Sequence, residues 1–214
     1  MENVKDNANQ APEAQNVEST NEKSKKTVIT IGVIVAALIV IALIWLGVNR
    51  KGSAKADEAI ALADVEMNDS IALKYYMDAA ELGHKSGNRA KLHAAIALYQ
   101  QGKYQEALDY LKDASVSSDI IEAGKFSLMG DCYVNLEKYE DALSCYNKAI
   151  SASDNNPQIV PFVLVKEANV YRAMQNYNEE SNCYNKIIND YPQYAQQLRF
   201  DIKKYAERAY DSEK

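Results

Sequence analysis

The segment from Phe126 to Ile150, FSLMGDCYVNLEKYEDALSCYNKAI, carries the clearest structural pattern in the sequence. Apolar and small residues recur in it three and four positions apart, the spacing that places residues on one face of an α-helix. A small residue such as Gly130 lets one helix approach the next closely. We therefore expect a packed pair of helices here. The recurring positions are Phe126, Met129, Gly130, Tyr133, Tyr139, Ala142, Tyr146 and Ala149.

One step of this pattern, a tyrosine followed three residues later by a small residue, returns along the chain. It occurs at 104–107 (YQEA) and 139–142 (YEDA), with a weaker version at 177–180 (YNEE). The steps are 35 and 38 residues apart, close to the period of about 34 of one helix-turn-helix solenoid repeat. The other positions recur with the step. They are Ala94, Ala95, Leu98, Gly102, Leu111 and Ala114 around the first step, and Leu164, Ala168, Tyr171, Tyr184, Ile187 and Pro192 around the last.

The pattern extends to both ends of this region. A degenerate repeat precedes it, with Ala59, Ala63, Ala72, Tyr76 and Ala79 at the corresponding offsets. We place the four repeats at about 53–86, 88–121, 123–156 and 161–192. Residues 193–210 then predict one amphipathic capping helix, because each hairpin of a solenoid leaves an apolar face that a neighbour must cover. No stretch alternates as a strand would, so the fold class expected is an all-α solenoid.

A different pattern lies before the repeats. Thr27 to Val48, TVITIGVIVAALIVIALIWLGV, holds 22 residues without a charge or a proline. At about 1.5 Å per residue, such a helix crosses the roughly 30 Å hydrocarbon core of a bilayer. We expect a transmembrane helix at 27–48, between a polar tail (1–26) that should stay disordered and a juxtamembrane linker (49–56).

The alternative to a transmembrane helix is a cleaved signal peptide, since Ala54-Lys55-Ala56 has the small-x-small form of a cleavage site. The apolar run is too long for a signal peptide, and a polar tail of 26 residues precedes it. Orientation stays open, because basic residues flank the run on both sides. They are Lys23, Lys25 and Lys26 before it, and Arg50, Lys51 and Lys55 after it.

Charge and composition exclude several classes of function. The net charge is −6, and residues 57–214 alone hold 17 Lys and Arg against 25 Asp and Glu, a net −8. This balance argues against nucleic-acid binding, which needs clustered basic residues. The three cysteines and two histidines have no metal-ligand spacing, no catalytic triad can be argued, and no glycine-rich phosphate loop occurs. We expect no catalysis, cofactor, metal or small-molecule substrate, and we expect Cys145 and Cys183 to be unpaired.

These residues resemble the tetratricopeptide repeat (TPR). With the N-terminal apolar segment, the layout is similar to that of the single-span, TPR-bearing ancillary subunits of the bacterial Sec translocon. That resemblance implies a single-pass protein of the bacterial inner membrane with a cytoplasmic tail and a periplasmic TPR domain. It also implies a non-enzymatic scaffold that binds the translocon or its emerging clients. The alternative function is a cytosol-facing membrane adaptor of inverted topology.

The TPR resemblance also places a binding surface on the first helix of each repeat, helix A, where TPR proteins hold extended or helical segments. The expected partner-binding residues mix apolar and polar side chains. Asp131 would repel a carboxylate, so a ligand held by its C-terminal carboxylate is not expected. The residues are Leu92, Ile96, Tyr99, Asp131, Asn135, Asn169 and Arg172.

Overall fold

The computed structural model describes residues 14–198 and 200–211, and these residues contain helices and no strand. The all-α prediction is therefore confirmed for the described part of the chain. The chain divides into two compact units between Lys51 and Gly52. The helices, in chain order, are α1 (Ala14–Val65), α2 (Asp69–Glu81), α3 (His84–Gln100), α4 (Tyr104–Asp113), α5 (Asp119–Asn135), α6 (Tyr139–Ala152), α7 (Ile159–Ala173), α8 (Tyr177–Asp190), α9 (Pro192–Gln197) and α10 (Ile202–Asp211).

The first unit contains a helix long and apolar enough to cross a membrane. Every side chain from Thr27 to Val48 is exposed, so none of the described residues covers this apolar surface. The structure differs from two expectations about its flanks. Residues 14–26, expected to be disordered, and residues 49–56, expected to be a linker, both belong to α1. Extending an existing helix adds one hydrogen bond for each residue ordered, whereas nucleating one is unfavourable. Residues 1–13 lie outside the described part.

The second unit is built of helix-turn-helix pairs, as a TPR solenoid requires. The pairs are α3 with α4, α5 with α6, and α7 with α8, and each contacts the next. Ala56 and Ile60, in the C-terminal part of α1, pack with alanines of α2 and α3. Apolar clusters then continue from α2 to α6, between α6 and α7, and from α7 to α10. Each pair thus covers the apolar face of its neighbour.

Small residues mark the points where the two helices of a pair approach most closely. Ala95, Gly130 and Ala168 occupy equivalent positions of three pairs, and all are buried. A Cβ atom at Gly130 would overlap the ring of Tyr146, whose Cζ would be 2.9 Å away. The glycine is therefore required by packing against α6.

The turn between the paired helices has the same conformation in three repeats. Gly102, Glu137 and Gln175 each have a left-handed backbone, with φ of 76°, 58° and 59°. The following N–H groups donate to carbonyls five residues earlier, at 2.9 Å in each case. This is the hydrogen bond that closes a Schellman motif, which favours glycine at the left-handed position.

Replacing Glu137 or Gln175 with Gly should therefore raise the free energy of unfolding by about 0.5–1 kcal/mol each, because glycine adopts this backbone without steric strain. Gly102→Ala should lower it by about 1 kcal/mol. Urea denaturation of the full chain in lipid nanodiscs, followed by circular dichroism, measures all three. A destabilised Glu137→Gly variant would show that the side chain stabilises the turn by contacts of its own.

The C-terminal cap differs from the single helix expected at 193–210. It consists of α9 and α10, with Leu198 in an extended conformation (φ −66°, ψ 138°) between them. The break lets both Leu198 and Phe200 pack against the last apolar cluster. The Phe200 ring lies 5.1 Å from that of Tyr205 and 6.4 Å from that of Tyr184. Burial of these side chains compensates for the lost helical hydrogen bonds.

Candidate protein-binding surface

The first helices of three successive pairs, α3, α5 and α7, lie side by side and form one surface, which we call the A-helix surface. Two clefts open on it, one on each side of the first turn of α5. The seven residues expected to contact a partner all belong to these three helices. Some of them are exposed, some line a cleft, and some form hydrogen bonds within the protein.

The first cleft, of about 410 Å³, is lined by the C-terminal part of α1, the N-terminal part of α3, residues 115–117 and the first turn of α5. Leu92, Val116 and Ile121 form its apolar part, and Ile121 is 50% exposed. Arg89 donates a hydrogen bond to Asp57 over 3.1 Å at its rim. Both side chains of this ion pair are more than half exposed, so it contributes little to stability.

The second cleft, of about 380 Å³, lies between α5 and α7. Ile120 and Phe162 line it and stay 61% and 49% exposed. The Lys166 ammonium lies 4.7 Å from the centre of the Phe162 ring, a cation–π distance that orients the ring. Sequence reasoning missed this cleft. The available signal was the repeat offset, which places Phe162 at the position of Arg89 in the second repeat.

Asp131 lies at one end of the second cleft and is bonded within the protein. Its Oδ2 accepts a hydrogen bond from Lys166 Nζ at 2.6 Å, and its Oδ1 accepts one from the Tyr146 hydroxyl at 2.7 Å. Lys166 also donates to Ser127 Oγ at 3.0 Å. Burial and the Asp131 charge raise the pKa of Tyr146, which therefore stays a hydrogen-bond donor. These bonds join α5, α6 and α7, and the ion pair leaves this end of the cleft without net charge.

Arg172 also makes bonds within the protein. Its guanidinium donates two hydrogen bonds to one oxygen of Glu180, through Nε at 2.7 Å and through Nη2, and a third to the Tyr184 hydroxyl at 2.9 Å. Glu180 is only 2% exposed, and the ion pair with Arg172 offsets the cost of removing its carboxylate from water. Arg172 thus stabilises the α7–α8 pair, and its contact with a partner stays a prediction.

The remaining predicted residues vary in exposure. Ile96 and Asn169 are exposed, and Asn135 is exposed while donating to the Asp131 carbonyl at 2.8 Å. Tyr99 is half-buried with its ring 5.5 Å from that of Tyr104. Burial raises the pKa of Tyr99, and the Asp131 charge adds to this. Among the predicted residues, Ile96 and Asn169 leave the most side chain for a partner.

The nucleophilic and metal-ligating side chains offer no centre within the described residues. Cys132, Cys145 and Cys183 are buried and free, which agrees with the prediction that the last two are unpaired. Burial raises the pKa of Cys132 and of Cys183 to about 12, so both are thiols at neutral pH. No group of three or more His, Cys, Asp or Glu side chains in the described ranges could hold a metal ion.

Glu167 on α7 is a buried acid that sequence reasoning missed, because nothing in a helical pattern distinguishes a buried glutamate from an exposed one. It is 5% exposed, and its Oε1 has no hydrogen-bond partner. Burial raises the pKa of Glu167 from 4.5 to about 7. The carboxyl is therefore partly protonated near neutral pH.

This pKa makes stability depend on pH. Because burial raises its pKa, Glu167 binds its proton more tightly in the folded protein than in the unfolded chain. The contribution of this proton to the free energy of unfolding is complete below pH 4.5 and is lost as the pH rises through about 7. In Glu167→Gln, the free energy of unfolding should therefore fall less between these pH values than in the wild type. Urea denaturation at a series of pH values measures the slope. Equal slopes in the two proteins would contradict the buried, proton-binding state of Glu167.

Comparison with known proteins agrees with this architecture. The family model described as anaphase-promoting complex, cyclosome, subunit 3 matches residues 66–149, and a tetratricopeptide-repeat model matches residues 162–194. Two crystal structures of MamA are similar at 17% identity. One has a TM-score of 0.50 and covers 68% of this chain and 88% of MamA; the other has 0.51 and covers 78% and 92%. No curated protein sequence matches this chain.

The chain therefore carries tetratricopeptide-type repeats, and its second unit folds as a TPR solenoid. At 17% identity the likeness to MamA shows the fold alone. Repeats of this type support a protein–protein interaction scaffold, because they present extended binding surfaces.

Proposed function

We propose that this protein is a membrane-anchored, non-enzymatic scaffold whose TPR domain binds protein partners through its A-helix surface. One observation carries the proposal. Exposed apolar side chains line two adjoining clefts on that surface, notably Ile120, Ile121 and Phe162. Apolar side chains that line concave sites are where proteins bind other molecules.

The anchor is the apolar part of α1. A bilayer is the environment that such a surface requires, because every side chain at 27–48 is exposed and apolar residues are stable in contact with lipid. We place it in the inner membrane of a bacterial cell, crossing once, with the TPR domain in the periplasm. The layout of an N-terminal apolar helix followed by TPR repeats supports this arrangement.

The partner we propose is a membrane complex such as the Sec translocon, or an envelope protein emerging from it. The support is the similarity of layout to the ancillary translocon subunits. A domain held beside the bilayer is also concentrated next to membrane-bound partners, which strengthens a weak contact.

Site-specific photocrosslinking in living cells tests the proposal. Benzoylphenylalanine at position 96 or 162 lies on the A-helix surface, whereas at exposed Glu140 of α6 it lies on a second helix of a pair. We expect protein adducts from the first two positions and few from the third. Translocon subunits or nascent envelope proteins among the adducts would support the partner. Equal adducts from all three positions, or none, would contradict binding through this surface.

A further inference from the structure

Three glycines lie within the first helices of the pairs, and packing explains two of them. A Cβ at Gly130 would overlap Tyr146, and one at Gly87 would lie 3.3 Å from the Ala80 carbonyl oxygen. Gly124, in α5, is different: a Cβ there would meet nothing within 4 Å, and the residue is exposed. A glycine inside a helix is less stable than alanine, so the fold itself gains nothing from Gly124.

Gly124 lines the second cleft, between the side chains of Ile120 and Leu128 and opposite Phe162. The missing side chain leaves the α5 backbone open to the cleft at this point. Glycine also occurs where another molecule must approach the backbone closely, and this role is independent of the stability of the fold. The position of Gly124 is therefore explained by an occupant of the cleft.

The charges on the cleft indicate what the occupant is. Asp131 and Lys166 are the ionisable side chains that line it, and they pair with each other at 2.6 Å. The cleft is thus neutral and largely apolar, within a domain that carries a net −8 over residues 57–214. A charged residue buried there would lack a partner, whereas apolar side chains would be removed from water.

We propose that the second cleft binds an uncharged, apolar polypeptide segment of the partner, which contacts the α5 backbone at Gly124. This inference rests on the proposed scaffold function and adds the chemistry of the bound segment. The segment presents aliphatic or aromatic side chains to Ile120 and Phe162, and its backbone lies against the helix where α5 has no side chain.

The test uses a phage-displayed library of short random peptides, selected on the full chain in lipid nanodiscs. Enriched peptides are then labelled and titrated by fluorescence anisotropy against the wild type and variants. We expect enriched peptides with a central apolar run. Gly124→Leu should weaken their binding by at least about tenfold, and Gly124→Ala by a smaller factor, since added side chains occupy the contact.

The same variants distinguish an effect of the substitution on folding from an effect on peptide binding. Gly124→Ala should unfold at a higher urea concentration than the wild type, so weaker binding cannot be attributed to a damaged fold. Ser144→Leu, at an exposed position of α6, is the matched control and should bind the peptides like the wild type.

Four results would overturn the inference. The inference would be wrong if the enriched peptides bound Gly124→Leu as tightly as the wild type, or if they required a central charged residue. Either result would leave the scaffold function intact. Self-association that Gly124→Leu abolishes would assign the cleft to a second copy of the chain. If no peptide were enriched, this would also contradict the inference. The crosslinking experiment would then test the scaffold function separately.

Discussion

Replacing Gly130 with Ala is expected to lower the free energy of unfolding by about 2–3 kcal/mol. The added Cβ would overlap Tyr146, which is 2% exposed and fixed between α5 and α6. The ring must move, which strains a packed interior and breaks its 2.7 Å hydrogen bond to Asp131. These losses exceed the gain in helix propensity, about 1 kcal/mol, that alanine brings. Urea denaturation of the full chain in nanodiscs measures the change.

Gly124→Ala is the matched control for this prediction. It makes the same substitution in the same helix, where the new Cβ meets nothing within 4 Å, so it should raise stability by about 0.5–1 kcal/mol. Opposite signs for the two variants would confirm that packing against Tyr146 decides the result at Gly130. A Gly130→Ala variant as stable as the wild type would show that α5 and α6 can separate freely, against the close approach described above.

The second large effect is expected on removing Arg172. Arg172→Met should lower the free energy of unfolding by about 3 kcal/mol, because it leaves the buried Glu180 carboxylate without its partner. The double variant Arg172→Met/Glu180→Leu removes both charges and should recover most of the loss, since the pair itself adds little to stability. The same denaturation experiment on Arg172→Met, Glu180→Leu and the double variant gives the coupling free energy between the two side chains.

Lys186→Met is the control for the loss of a positive charge. Lys186 pairs with Asp190 on the surface of α8, with both side chains about half exposed, so its removal should change stability by less than about 0.5 kcal/mol. If Arg172→Met were equally mild, Glu180 would be satisfied by other groups. Arg172 would then be available to a partner, as its sequence position suggested.

Much of the fold could be predicted because TPR packing depends on residue size at regular spacing. Ala95, Gly130 and Ala168 could be identified as close-packing positions from the repeat offset alone, and the structure buries all three. The apolar run at 27–48 was equally clear, because uninterrupted apolar composition needs no knowledge of contacts. In both cases the signal is local in the sequence.

Other features depend on contacts between residues distant in sequence. Asp131 was expected to face a partner, but Lys166, on the next pair of helices, already pairs with it. The left-handed turns at Glu137 and Gln175 carry no glycine to reveal them, unlike the turn at Gly102. The break at Leu198 follows from packing against the last apolar cluster rather than from a proline or glycine.

Labelling of two single-site variants tests most directly whether α1 spans a membrane and which unit faces the periplasm. Ser144→Cys places a thiol on exposed α6, and Ser24→Cys places one before the apolar run. The native cysteines are buried and burial raises their pKa, so they should react slowly with a membrane-impermeant maleimide. We predict that Ser144→Cys labels in intact spheroplasts, and that Ser24→Cys labels only after lysis. The reverse pattern would place the TPR domain in the cytosol, and labelling of both variants without lysis would contradict a membrane span.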